Sequence, residues 1–378
     1  MKHLLRGARV WDRNGSWKED CPVLLEDGQI LAVGEDCRNA TADRVTDLGG
    51  AYLLPGLIDV HTHGRSGYDF STATPAELCA MKMDYLRHGV TSVFPTLASA
   101  TEAEWMQAVK AIQACDFDGI HFEGRYLNPQ KRGAHPTHLL AELDAEELMR
   151  VLGPVKIPCH ITAAFELDTN GLFTAIAKSY GATLGLGHTA ATAAEAEQAL
   201  ERGVTSFTHL FNAMPPLHHR DGGAVSVALT TSRAYSELIV DGVHVCPEMV
   251  KLAYRCLGRE RLVLITDSME ATGCPDGEYS IAGQPVKVVE GRALTLDGVL
   301  AGSTLELWDG VKNLMRFASI PLEEAIACAT VNPARMVGIE KHLGSIEVGK
   351  VANLLVVNAA LEITEVIYQG VAMEALRG

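Results

Sequence analysis

Two histidines separated by a single residue, His61 and His63, close the apolar run Leu57-Ile58-Asp59-Val60. Imidazole nitrogens bind divalent transition metals, and side chains two apart on an extended chain point the same way, so this pair can share one ion. Other ligand types end other apolar runs. Glu123 ends Gly119-Ile120-His121-Phe122, His188 ends Gly185-Leu186-Gly187, His209 follows Phe207-Thr208, and Asp267 follows Leu264-Ile265-Thr266. Histidine and carboxylate sets of this kind suit zinc, with iron, cobalt and manganese as alternatives. A metal so held lowers the pKa of bound water towards neutrality and polarises a carbonyl, which is the chemistry of metal-assisted hydrolysis.

The remaining polar residues near these ends are weaker candidates. His121 shares the inward parity of Glu123 but sits a layer deeper, where a hydrogen-bonded core histidine is expected. His160 is ambiguous, and His3, His88 and His342 take no role. Lys156 stands at the beginning rather than the end of Lys156-Ile157-Pro158-Cys159-His160.

For the candidates to meet, the runs that carry them must lie side by side. Eight segments read as buried strands: 57–63, 90–97, 119–124, 156–163, 182–188, 204–210, 237–244 and 262–268, with helical patterns between them at 75–88, 193–202 and 247–257. Alternation of apolar strands with helices predicts a parallel sheet wrapped by helices. A weak repeat, Arg87-His88-Gly89-Val90-Thr91-Ser92 against Glu201-Arg202-Gly203-Val204-Thr205-Ser206, gives each unit a helix end, a glycine cap and a strand start. Eight such units predict a closed (β/α)8 barrel, in which all strand C-termini meet at one face. An open doubly wound sheet is the alternative, but no G-x-G-x-x-G follows the first strand.

Both chain ends differ from this centre. Short alternating stretches separated by turns fill residues 1–52, and the same character returns at 344–357 and 363–368. Each end is too short to fold alone. The expected organisation is a small β-sandwich built from 1–52 and 338–378 around a barrel spanning 53–337. The 378 residues carry 47 acidic against 32 basic side chains, a net charge of -15, with no basic run to follow a polyphosphate. Nucleic acid is therefore not an expected partner. The opening residues are interrupted by Arg6, Arg9 and Asp12 and lack a secretory pattern, and no apolar run reaches membrane-spanning length. A cytoplasmic protein is expected. Its nine cysteines, without C-x-x-C spacing, read as reduced and mostly buried thiols.

Taken together in order, the motifs are more specific than any one of them. Pro55-Gly56-Leu57-Ile58-Asp59-Val60-His61-Thr62-His63-Gly64, His121-Phe122-Glu123-Gly124, Lys131-Arg132-Gly133-Ala134-His135, Gly187-His188-Thr189, Thr208-His209-Leu210-Phe211-Asn212-Ala213-Met214, Asp241-Gly242-Val243-His244 and Thr266-Asp267-Ser268-Met269 follow one another. In this, the chain resembles the N-acetylglucosamine-6-phosphate deacetylases of the amidohydrolase superfamily almost end to end. The resemblance implies hydrolysis of the acetamide of an amino-sugar phosphate in amino-sugar catabolism. Glu123, His188 and His209 would bind one metal. His61 and His63, which some members replace by Gln and Asn, would add a second ion bridged by Glu123. Asp267, itself near the metal, would serve as general base towards a metal-bound hydroxide and then as acid towards the leaving amine.

The same resemblance places His135, with Ala134, over the substrate carbonyl. It gives Arg220 and His244 to the phosphate, with Asn212 and Ala213 as hydrogen-bond donors, and it implies a homodimer in which a neighbouring subunit supplies a phosphate contact. Arg125 departs from the family, which has proline there. It either turns outward or reaches the sugar as a specificity residue, and the outward course is favoured by repulsion from the metals. The N-acetylgalactosamine 6-phosphate substrate is the nearest alternative. A ring amidohydrolase is disfavoured because Lys156 is misplaced to bridge two metals, and a non-catalytic scaffold because the chain keeps all six metal-centre residues.

Overall fold

The computed structural model describes residues 1–374. At its centre β1 (Leu57–Thr62), β2 (Val90–Leu97), β3 (Ile120–Glu123), β4 (Cys159–Ala163), β5 (Thr183–Leu186), β6 (Ser206–Phe207), β7 (Tyr235–Ile239) and β8 (Leu262–Ile265) pair in parallel, each with its neighbour in the chain. The ring closes just past β8. Asp267 N–H donates to the His61 carbonyl at 2.9 Å and His63 N–H to the Ser268 carbonyl at 2.7 Å. Below them the Thr266 hydroxyl donates to the buried Asp59 carboxylate at 2.6 Å. This is the (β/α)8 barrel expected from the alternation of strands and helices. Its outward residues, among them Phe122, Ile161, Leu184 and Phe207, pack with Leu78, Trp105, Leu148 and Ala196 of the surrounding helices.

Each helix start is set locally. Thr74, Thr101 and Thr192 open the helices Pro75–Arg87, Glu102–Ala114 and Ala193–Arg202, and each forms a capping box with the glutamate three residues on, Glu77, Glu104 or Glu195. These boxes pin the loop between strand and helix, which is where a barrel carries its chemistry.

Several strands are shorter than the sequence pattern suggests. The segments expected at 182–188 and 204–210 are extended only over Thr183–Leu186 and Ser206–Phe207. The cause lies at their ends: His188 and His209 leave the extended region for φ values of 46° and 31°. The fourth strand begins at Cys159 rather than Lys156, and the seventh runs Tyr235–Ile239, ending well before His244.

The chain ends form two further sheets. Gln29–Val33, Val23–Glu26, Lys2–Arg6 and Arg44–Asp47 make one; Val371–Glu374, Ile363–Tyr368, Leu354–Val357, Tyr52–Pro55, Arg9–Asp12 and Ser16–Lys18 make the other. Leu5, Val23 and Ile30 meet Leu53, Leu354 and Ile367 between them. Strand Tyr52–Pro55 runs straight on towards β1 and so crosses the limit expected at residue 52.

An unanticipated element is a three-stranded meander, Gly277–Ile281, Gln284–Val289 and Arg292–Thr295, turned by Ala282-Gly283 and Glu290-Gly291 with positive φ at all four turn residues. It has its own small core of Ile281, Val286, Val288 and Ala293 against Met269 and Ala301. All nine cysteines are free, but only Cys21, Cys37, Cys159 and Cys328 are buried, which corrects the expectation of mostly buried thiols. Among the described residues no helix is long and apolar enough to cross a membrane.

The barrel interior is tight beside β5. A Cβ on Gly187 would lie 2.6 Å from Thr208 Cβ and 2.7 Å from Thr162 Cγ2. Gly187→Ala is therefore expected to lower the unfolding free energy by about 1–3 kcal/mol, read from urea denaturation. An unchanged midpoint and slope would show that the interior yields to a methyl group.

Candidate metal centre

Glu123, the last residue of β3, is the point on which the site converges. Its Oε1 lies 3.2 Å from His188 Nε2 and 3.0 Å from His209 Nε2. Its Oε2 lies 2.9 Å from His63 Nε2 and 3.3 Å from His61 Nε2. One carboxylate thus faces two histidine pairs, one through each oxygen. Asp267 completes the second group, its Oδ1 being 3.3 Å from His63 Nε2 and 3.5 Å from His61 Nε2. All six residues are buried.

Backbone geometry brings them there in two ways. His61 and His63 follow the simple alternation of β1. His188 and His209 do not. Gly187 and Thr208 already face the barrel interior, where the Thr208 hydroxyl meets that of Thr162 at 2.8 Å. A continued strand would send the next residue outward. The left-handed φ of His188, His209 and also Asp267, at 49°, turns these side chains back to the barrel mouth. Such conformations are costly for residues other than glycine and cluster at functional sites.

The hydrogen bonds on the far side of the rings decide what the near side can do. His61 Nδ1 meets the Glu237 carboxylate at 3.1 Å, and His188 Nδ1 meets the Lys131 carbonyl at 2.8 Å. Both partners are acceptors, so Nδ1 carries the proton and Nε2 presents a lone pair. His188 Nε2 and His209 Nε2 are 3.0 Å apart. His61 Nε2 is buried without a hydrogen-bond partner. Converging lone pairs beside two carboxylates fit a divalent cation, with outer hydrogen bonds to a carboxylate and a carbonyl of the kind that orient metal-binding histidines.

The electrostatics agree. Burial works against the charge on Glu123, but His61 and the close approach of the His135, His188 and His209 rings hold its carboxyl well below the usual range. Burial likewise opposes charge on His63, yet Asp267 and Glu123 lift it to about 9. Burial dominates at His188, which falls to about 4. Excess negative charge is thus built into the pocket floor, and in the metal-free protein protons compete for it.

The cluster floors a cavity of about 330 Å3, whose walls include Ala134, His135, Asn212, Ala213 and His244 together with Ile281 and Ala282 of the meander. His244 Nδ1 pairs with Asp241 at 2.7 Å. The Asn212 amide donates to the His209 carbonyl at 3.2 Å. Arg220 is not brought to this cavity: it is exposed, with its guanidinium 2.8 Å from the His219 ring. Arg125 turns away from the cluster, its Nε 3.0 Å from Glu147 and its Nη1 donating to the Ala100 carbonyl at 2.8 Å. His121 lies deeper, its ring nitrogens at 3.1 Å from Thr96 and 2.8 Å from Thr162. Lys156 is exposed and bonds the Gly153 carbonyl.

Sequence reasoning passed over Glu237. The only signal was a carboxylate inside the apolar strand Tyr235–Ile239, where it is wholly buried and held at about 2: burial raises it, but the His160 and His61 rings beside it prevail. The meander was also missed, although Ile281 to Val288 alternates around an Ala-Gly turn.

A (β/α)8 barrel with this cluster at its mouth is the arrangement of a metal-dependent hydrolase, and the sequence profile described as "Amidohydrolase family" matches residues 52–373. The chain belongs to the amidohydrolase family. Within it, the chain is 35% identical over 380 residues to the N-acetylgalactosamine-6-phosphate deacetylase of Escherichia coli O157:H7, covering 98% of this chain and 99% of the relative. It is also 35% identical over 379 residues to the N-acetylglucosamine-6-phosphate deacetylase of Vibrio furnissii, covering 97% and 94%. A mutant N-acetyl-D-glucosamine-6-phosphate deacetylase from Mycobacterium smegmatis, solved in complex with N-acetyl-D-glucosamine-6-phosphate, superposes with a TM-score of 0.90 at 33% identity, over 98% of this chain and 99% of that one.

The Glu237 contact generates a direct test. Glu237→Gln removes the charge that orients His61 while nearly keeping the shape, and metal affinity should fall by about 10- to 100-fold in a competition assay against a chromogenic chelator. Unaltered affinity would mean that His61 needs no such partner.

Proposed function

We propose that this chain hydrolyses the acetamide of N-acetyl-D-glucosamine 6-phosphate to D-glucosamine 6-phosphate and acetate, as a step of amino-sugar catabolism in the cytoplasm. The observation that carries the reading is the shared Glu123 carboxylate, with a histidine pair on each oxygen and Asp267 alongside, at the floor of a cavity large enough for a sugar phosphate. The galacto epimer is the second reading, favoured by the 35% identity to a deacetylase named for it.

We read the centre as holding two divalent ions, zinc first, with iron, cobalt or manganese as alternatives. His61, His63 and Asp267 would hold one, His188 and His209 the other, with Glu123 between them. A cation bound there polarises the acetyl carbonyl and makes water acidic enough to attack it at neutral pH. The chain's own residues do the rest. Asp267 takes the proton from the attacking water as the new C–O bond forms at the carbonyl carbon. It passes that proton to the amide nitrogen as the C–N bond breaks, so that amine and carboxylic acid leave in balance. His135, on the loop above the cluster, supports the carbonyl oxygen with Ala134 nearby. His244, Asn212 and Ala213 line the end of the cavity where the phosphate would lie. Arg220, too far out to serve its own cavity, suits a homodimer in which it reaches the site of the partner. Arg125, bound to Glu147, stiffens the loop after β3 and leaves specificity to other residues.

Three measurements bear on this. Elemental analysis after chelator treatment and reconstitution should find about two ions per chain, the stoichiometry of bridged hydrolytic centres; a value fixed at one would leave one histidine pair without a ligand role. Acetate release should be seen with both 6-phosphates and be faster with the gluco epimer. Asp267→Asn should lower kcat by about a hundredfold or more; wild-type turnover in this variant would remove Asp267 from the proton path.

A further inference from the structure

Two histidines of the cavity, His135 and His188, pack edge to face with ring centroids 4.8 Å apart, and each approaches Glu123 through Nε2, at 3.7 Å and 3.2 Å. By position alone both could be metal ligands. Their far nitrogens separate them. His188 Nδ1 faces the Lys131 carbonyl, which can only accept. His135 Nδ1 faces Ser99: the peptide N–H at 3.3 Å and the hydroxyl at 2.9 Å.

A peptide N–H cannot reverse its role, so it requires an acceptor at His135 Nδ1. The hydroxyl is adaptable, but Arg125 N–H donates into its oxygen at 2.7 Å and leaves its own proton free to donate. Both groups of Ser99 therefore meet the ring as donors. A neutral imidazole that accepts at Nδ1 bears its proton at Nε2. That proton points into the cavity. His135 then has no lone pair for a metal and offers instead a hydrogen bond to an oxygen gaining negative charge.

The contact is built closely. Ser99 and His135 are both buried, and a Cβ on Gly124, whose φ is 142°, would come within 2.5 Å of both the nitrogen and the hydroxyl oxygen of Ser99. Ser99 lies just past β2, a strand end to which sequence reasoning gave no part. It is followed by the Thr101 capping box, which anchors the segment to the helix Glu102–Ala114.

We propose that Ser99 is a positioning residue that fixes His135 as an Nε2–H tautomer, making it a hydrogen-bond donor to the substrate carbonyl oxygen rather than a third histidine on the His188 ion. This rests on the amide hydrolysis proposed above, but the tautomer can be read without turnover. In zinc-loaded enzyme carrying 15N-histidine, long-range 1H–15N correlation spectra, with His135→Gln to assign the signal, should show His135 Nδ1 unprotonated and Nε2 protonated. A proton on Nδ1, or a metal-bound Nε2, overturns the proposal whatever the activity.

Kinetics provide the second arm. Ser99→Ala should lower kcat about tenfold, the scale of one hydrogen bond, with KM and zinc content within twofold of wild type. Ser99→Thr, which keeps the hydroxyl, should recover most of the loss. Undiminished kcat in Ser99→Ala, or a loss that follows zinc content, counts against Ser99. Absence of acetate release from wild type with either sugar phosphate would instead defeat the substrate assignment, while the spectra still decide the tautomer.

Discussion

Glu123 is a carboxylate sunk at the mouth of a barrel, and leaving such a charge unpaired in a protein interior costs several kcal/mol. Here it is not left so. One oxygen is set against His188 and His209, the other against His61 and His63. Much of the local architecture serves that division. The first and last strands must close on each other to bring His61 and Asp267 together, and the backbone bond between those residues is part of the closure. The fifth and sixth strands must stop early so that their histidines can turn inward through left-handed backbone. Gly185 and Gly187 leave room beside β5 for the inward side chains of His160, Thr162 and Thr208 beneath the site.

In the proposed centre, the distinction between ligand and hydrogen-bond donor would be made by groups that never touch the reacting atoms. A carboxylate behind His61 and a carbonyl behind His188 leave lone pairs facing inward; a peptide N–H behind His135 leaves a proton facing inward. On this reading, identical side chains would take opposite roles within a few ångströms. Glu237 contributes from inside the barrel, and Ser99 from the rim, so both the packed interior and the loops share in tuning the site. The capping boxes have the same effect at longer range, because a loop anchored at the first turn of its helix holds its residues in place without an ordering cost on binding.

The meander Gly277–Thr295 adds a wall that the barrel itself does not provide. Its turn at Ala282-Gly283 lines the cavity, and its core packs on Met269, two residues beyond Asp267. A wall of the cavity thus packs against the segment that carries Asp267. Arg125, by contrast, pairs its Nε with Glu147 and donates through Nη1 to the Ala100 carbonyl, away from the cluster.

What was legible in the sequence was what local chemistry and periodicity encode. The H-x-H pair at the end of an apolar run, the glutamate and histidines at the ends of others, the alternation of strands with helices and the glycine caps were enough to place a hydrolytic metal site at the mouth of an eight-stranded barrel. The resemblance to a known family then supplied the substrate class. The tertiary structure decided everything that depends on partners far apart in the chain. His61 meets Glu237 176 positions away and His135 meets Ser99 36 positions away, and no local pattern announces either contact. It also decided that Arg125 points outward, that Arg220 stands off its own cavity, and that two strands end early. A strand's period predicts which way a side chain faces only while the backbone stays extended. At His188, His209 and Asp267 it does not, and the energy that holds them in the left-handed region comes from the assembled site rather than from their neighbours in sequence.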